Sequence, residues 1–225
     1  MMLNRLNAPA EESVPRGVTM MIRLCCKSDR MKDFYPLLLR GVMLRAEQGA
    51  TVRSVLSGQL KMTDEELCRR ARAIFLNGKT VAQPDTAVLQ PGSTLAISTC
   101  LTEPFLLHAY GDVETRVLRP YESAKPSSDV GRAKEHISFF LKLFDLMLDR
   151  FGSRILSSGV WMDARDFEKF LSERPEHFWE GLEKAIVDGE AIAPEALRRL
   201  PGSRWSGIIG LTVQEAPGDQ ASDWA

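Results

Sequence analysis

Between Val18 and Ser98, apolar residues alternate imperfectly with polar ones or form short runs such as Ala73–Leu76, a pattern that predicts several strands. Val18–Lys27 reads as a first strand, and Gly41–Glu47 as a second with Val42, Leu44 and Ala46 on one face. In the connection Ser28–Leu39, Met31, Phe34, Tyr35 and Leu38 are spaced for a short apolar turn, and Pro36 limits any helix there. Gln48-Gly49 is a turn. Thr51 then stands where a helix cap belongs, ahead of Val52, Val55, Leu56 and Leu60 at helical spacing. Thr63 with Glu66 forms a capping-box pattern opening Asp64–Ala71. Ala73–Leu76 is a buried-looking strand, Asn77-Gly78 supplies the positive φ of a tight turn, Gln90-Pro91-Gly92 makes another turn, and Ser93–Ser98 is the closing strand.

The later pattern has a longer period. Val130–Phe151 reads as the strongest helix of the chain, with Ile137, Phe140, Leu141, Phe144, Met147, Leu148 and Phe151 in one stripe and Gly152 as its stop; Phe139 falls off that stripe. Asp163 caps a short helix holding Phe167, Phe170 and Leu171. Pro175 opens another through Phe178, Trp179, Leu182, Ile186 and Val187 to Gly189. Pro194–Leu200 is a short helix, and Ile208–Val213 a closing strand. Phe105–Tyr110 and Thr115–Leu118 flank Gly111-Asp112 as a hairpin, and Ser123–Asp129 is a linker. No internal repeat is visible.

These elements predict an α+β chain: a flexible tail at 1–17, a first domain at 18–100, a hairpin and linker at 101–128, a mostly helical module at 129–215 and a flexible tail at 216–225. The composition of the 225 residues, 44% hydrophobic and 26% charged, suits a packed core. The net charge of −1 advertises neither nucleic acid nor an anionic membrane. Residues 1–100 carry 14 Lys+Arg against 9 Asp+Glu and residues 101–225 carry 15 against 21, as two domains of ordinary composition would; the sharper reading is mutual attraction of the halves, or an anionic partner for the first. Met1–Arg16 lacks the apolar centre of a signal peptide, and Ile137–Leu148, carrying Lys142 and Asp145, is too short to span a bilayer. A soluble, cytoplasmic protein is the expectation.

The run Arg72–Ser98, with its strand ending in Asn77-Gly78, its loop, its Leu89-Gln-Pro-Gly-Ser93 turn and its apolar last strand, resembles the end of a MoaD/ThiS-type sulfur carrier. Glu47-Gln-Gly-Ala-Thr-Val52 resembles the entry to that family's main helix. The resemblance implies an N-terminal β-grasp (ubiquitin-like) domain, with the first strand, Leu44, Phe75 and Ile97 curved around the helix that starts near Val52. TGS domains of RNA-linked proteins share the Asn-Gly-Lys and leucine-turn ending. Sulfur carriers end in a free Gly-Gly, whereas this chain continues through Thr99-Cys100 and ends Asp223-Trp224-Ala225, with no Gly-Gly pair anywhere and Ser93 in place of the turn aspartate. Carrier chemistry therefore does not follow.

No catalytic, cofactor-binding or metal-ligating residue is assigned. Cys25, Cys26, Cys68 and Cys100 form no C-x-x-C pair, and His108, His136 and His177 are far apart. Cys25 and Cys26, adjacent on a strand, point to opposite faces, one inward. Lys79 is a turn residue without a phosphate-binding loop around it. Arg69, Arg70 and Arg72 stand near Asp64-Glu65-Glu66 on a solvated face. His177 with Glu173 and Glu176 is surface chemistry, His108 a core residue, His136 a solvated helix residue, and Asp163 and Asp166 serve capping. A non-enzymatic protein-binding or adaptor protein is expected, its partner another protein, with a TGS-like RNA- or ribosome-associated module or a sulfur-carrier-related protein of cofactor biosynthesis as the alternatives, no membrane, no cofactor, and an oligomeric state that the sequence leaves open.

Overall fold

A computed structural model describes residues 17–69, 71, 73–99 and 135–216 of the chain. The hairpin and linker expected at 101–128 lie outside the described residues, as do the expected tails apart from Gly17 and Ala216. The chain divides into two compact units: a split unit of Met1–Leu37 with Gly152–Ala225, and a continuous unit of Leu38–Phe151.

In the continuous unit the strands are β2 (Val42–Glu47), β3 (Ala73–Leu76), β4 (Lys79–Thr80), β5 (Thr94–Ser98) and β6 (His136–Leu143), in the spatial order β4-β3-β5-β6-β2. β6 runs antiparallel to β2, from Val42 opposite Leu141 to Glu47 opposite His136, and parallel to β5, with Leu95 opposite Leu141. β3 is antiparallel to both β5 and β4. Helices α2 (Val52–Gly58) and α3 (Asp64–Arg69) connect β2 to β3. Both caps form as their residue types dictate: Thr51 Oγ1 accepts from Ser54 N–H at 3.2 Å, and Thr63 Oγ1 accepts from Glu66 N–H while Glu66 Oε2 accepts from Thr63 N–H at 2.9 Å. Val52, Val55 and Leu56 of α2 are buried, and Ala73, Phe75, Ala96 and Phe144 pack as one cluster.

The split unit contains β1 (Val18–Cys26), β7 (Val160–Asp163), β8 (Leu182–Val187), β9 (Glu190–Ile192) and β10 (Ile208–Glu215), in the order β7-β10-β1-β8-β9. Alternation buries Met20, Ile22, Leu24 and Cys26 of β1. β1 is parallel to β10, with Arg23 opposite Thr212, and antiparallel to β8; β10 is antiparallel to β7, and β9 to β8. Helices α5 (Ala164–Ser172) and α6 (Glu176–Glu180) connect β7 to β8, and an aromatic cluster of Phe34, Phe167, Phe170, Phe178, Trp179 and Trp205 fills the core beside them.

Two further helices, α1 (Tyr35–Arg40) and α4 (Leu146–Ser158), complete a repeat. In the first half, β1 leads through a 3-10 helix (Ser28–Phe34), which has no counterpart in the second half, and α1 to Gly41 at φ +112°, then β2, a capped helix, a second helix, β3, the turn Asn77-Gly78 at φ +50° and +78°, β4, Gly92 at φ +75°, and β5. In the second half, β6 leads through α4 to Gly159 at φ +88°, then β7, the helix capped by Asp163, a second helix, β8, the turn Asp188-Gly189 at φ +51° and +90°, β9, two 3-10 helices (Pro194–Arg199 and Gly202–Arg204) that the first half lacks, Gly207 at φ +77°, and β10. Both hairpins use positive φ at two successive residues, the conformation that matches the twist of paired strands. The internal repeat absent from the sequence is present in the structure.

Each unit, however, takes its strands from both halves. In the continuous unit β6, the first strand of the second half, lies between β2 and β5. In the split unit β1, the first strand of the first half, lies between β10 and β8. The five strands of each unit show the same succession of pairings, antiparallel, parallel, antiparallel, antiparallel, although the two central strands exchange places between them.

This overturns the expected β-grasp domain followed by a mostly helical module. The described residues hold ten strands with intervening helices, five strands in each half. β1 pairs with neither β2 nor β5, and Ile22 belongs to a different compact unit from Leu44, Phe75 and Ile97. The expected helix over 130–151 is β6 followed, after Asp145 at φ +51°, by α4. Ile137, Phe139, Leu141 and Leu143 are its buried face, so the period is two, and Phe139, off the helical stripe, belongs to the core. Similarly, the helix expected from Pro175 to Gly189 stops at Glu180, and Leu182–Val187 is β8.

Candidate functional site

Where two units share one pattern of pairings, the places at which their connections differ are the ones to inspect. In the split unit β7 runs directly into α5: Asp163 ends the strand and caps the helix, its Oδ1 accepting from Arg165 N–H at 2.8 Å. In the continuous unit the corresponding corner is longer. Gln48, Gly49 (φ +82°) and Ala50 intervene between β2 and Thr51. Ala50 N–H donates to Glu47 O at 3.0 Å, and Leu89 N–H to Ala50 O at 2.9 Å, so the extra turn is fixed at both ends.

Around this corner lies a depression of about 400 Å³, open to solvent, whose lining includes Glu47, Gln48, Ala50, Thr51, Ser54 and Gln59. Ser54 Oγ donates to Thr51 O at 2.8 Å, and the Gln59 carboxamide donates to Arg45 O. The main-chain donors that open α2 are already engaged: Val52 N–H with Ala87 O at 2.8 Å, Arg53 N–H with Pro84 O at 3.0 Å, and Ser54 N–H with Thr51 Oγ1. The start of the helix thus has no donors in its first turn for an anion. The lining carries one carboxylate, Glu47, among carboxamides, hydroxyls and small apolar groups. Such a surface offers hydrogen bonds to a polar chain; acid–base work by paired groups has no counterpart here.

The residues singled out from the sequence do not converge on this corner. His136 opens β6 and is exposed, rather than lying on a helix; His177 is exposed on the short α6. Lys79 is exposed in β4. Asp163 caps α5, as expected. Glu176 pairs with Arg198 at 3.0 Å, and the Arg198 guanidinium lies 4.3 Å from the Trp179 ring centroid. Cys26 is fully buried and Cys25 half-buried on opposite faces of β1. Burial, reinforced by Glu215, Cys25, Asp33 and Asp29, pushes the Cys26 thiol up to about 12; burial also raises Cys25, with Lys184 opposing and Glu183 adding. Both remain protonated and weakly nucleophilic at neutral pH. His108, Cys100, Arg70 and Arg72 lie outside the described residues, as do the side chains of Cys68 and Arg69. Among the described residues no group of three or more His, Cys, Asp or Glu is placed to hold a metal ion, and no helix is long and apolar enough to cross a membrane.

The signal for the corner was in the sequence as Glu47-Gln-Gly-Ala-Thr-Val52, legible as a turn and a cap but not as a cavity, because the cavity also needs Gln59 from the far end of α2. Comparison with protein-family models, with curated proteins and with solved structures finds no match.

Proposed function

We propose that this chain is a non-enzymatic binding or adaptor protein of the cytoplasm, and that it holds a segment of another protein at the corner between β2 and α2. The open polar depression at that corner carries the reading. A small molecule is held by enclosing most of its surface, which an open depression does not do. A polypeptide lying across it would instead meet the carboxamides of Gln48 and Gln59 and the hydroxyls of Thr51 and Ser54, with the half-buried Ala50 supplying apolar contact. Main-chain amides of a partner are suited to such a lining, because each offers one donor and one acceptor at regular spacing.

The test places a photo-crosslinking residue at Ser54 in the full chain, expressed in its native host, with the same residue at Lys79 as the control. A discrete protein adduct from position 54 that position 79 does not give is the expected result. No adduct, or the same adducts from both positions, overturns the reading. Adducts that disappear on ribonuclease treatment would replace it with nucleic-acid binding.

A further inference from the structure

The strand exchange between the halves has a consequence for association. β1 is the third strand of five in the split unit, paired with β10 from Val18 to Cys26 and with β8 from Ile22 to Cys26, and Met20, Ile22, Leu24 and Cys26 are buried there. Both of its neighbours come from the second half of the chain. Between β1 and these neighbours the polypeptide runs through the whole of the continuous unit, Leu38–Phe151. Completion of this sheet therefore rests on a strand delivered from far away in sequence. Its main-chain hydrogen bonds and buried side chains would be the same if the strand came from another molecule.

We propose that a second copy of this chain can supply β1, so that two chains form a reciprocally strand-exchanged dimer. Exchange of an identical element is a low-cost route to dimers, because the contacts made are those of the monomer. What favours the monomer is the effective concentration of its own β1, on the order of millimolar for a short flexible tether and lower as the connection lengthens. During folding, when the connection is not yet compact, copies at high concentration compete for the place beside β10.

The register gives a direct probe. Cys25 of β1 lies opposite Gln214 of β10, both half-buried. The full-length Gln214→Cys variant is unfolded and refolded under reducing conditions at about 10 µM and at about 1 mM, concentrations spanning the effective-concentration range, and then oxidised. Expected are an internal Cys25 link at low concentration and, at high concentration, at least a ~10-fold larger share of covalent dimer, its bond mapped to Cys25 by peptide mass spectrometry. In the unmodified chain refolded at high concentration, the dimer persists through dilution and size-exclusion chromatography. If the variant is first oxidised as the monomer and then unfolded and refolded at high concentration, it stays monomeric. Internal links alone at both concentrations, or a dimer that separates within minutes of dilution, or one that still forms in the pre-oxidised variant, would each overturn the proposal.

Discussion

Gly152 shows how a single residue can carry opposite meanings in sequence and in structure. The sequence reads it as the stop of a helix, yet α4 continues for six residues beyond it, and Gly159, at φ +88°, follows the helix end. Gly152 is there for space. A Cβ at this position would stand 2.7 Å from Cε1 of Tyr35, whose hydroxyl pairs with Ser153 Oγ at 3.1 Å. Alanine normally improves a helix interior over glycine by about 1 kcal/mol. Here the ring contact reverses the sign, and Gly152→Ala is expected to lower stability by about 1–3 kcal/mol in urea unfolding, as overpacking does. Gly58→Ala, at the end of α2 with nothing within 4 Å of its Cβ position, is expected to be neutral or mildly stabilising. Equal gains for both would show that the Tyr35 contact is absent. The contact was illegible beforehand because its two partners lie far apart along the chain.

At the scale of elements, most strands and caps of the first half were legible. β2, β3, β5, the Thr51 cap and the Thr63–Glu66 box stand within a residue or two of their expected places. Local signals suffice there, since a cap or a two-residue turn is decided by a few neighbouring side chains. In β6, His136–Leu143 satisfies two periods at once, and only Phe139, Phe140 and Leu143 separate them. A strand predicts that Phe139→Ala, at a fully buried position, costs about 3–5 kcal/mol. Phe140→Ala, on the half-buried face, costs clearly less. The reverse ranking in chemical denaturation would favour the helical stripe. The start of α3 makes a pH prediction. Glu66 accepts from Thr63 N–H and from Arg150 at 2.6 Å, and these contacts, the Thr63 hydrogen bond first, hold its carboxyl below the ordinary range. A lowered folded value means that the ionised form stabilises the fold at neutral pH, and that this contribution is lost as the pH falls through the lowered value. Glu66→Gln should therefore unfold at lower urea than the parent at pH 7, with the gap closing on acidification. A gap independent of pH would contradict the charge-based cap.

For the whole molecule, burial was legible and adjacency was not. Ile22, Leu44, Phe75 and Ile97 are all buried, as the hydrophobic pattern requires, but Ile22 lies in the split unit and the other three in the continuous one. A period of two tells which face of a strand turns inward; it says nothing about which strand lies beside it. The repeat escaped notice for a related reason. Its halves share positions of caps, glycines and turns, such as Thr51 with Asp163 and Asn77-Gly78 with Asp188-Gly189, while the residues between them differ. The depression at the β2–α2 corner, likewise, depends on Gln48, Gly49 and Ala50, which the shorter β7–α5 connection lacks. That each unit draws its strands from both halves is most directly tested by interstrand amide NOEs in the perdeuterated full chain. Cross-peaks linking Leu24 with the Val213 region of β10, and Leu95 with the Leu141 region of β6, are expected. Cross-peaks linking Val18–Cys26 with Val42–Glu47 and Thr94–Ser98 instead would contradict it.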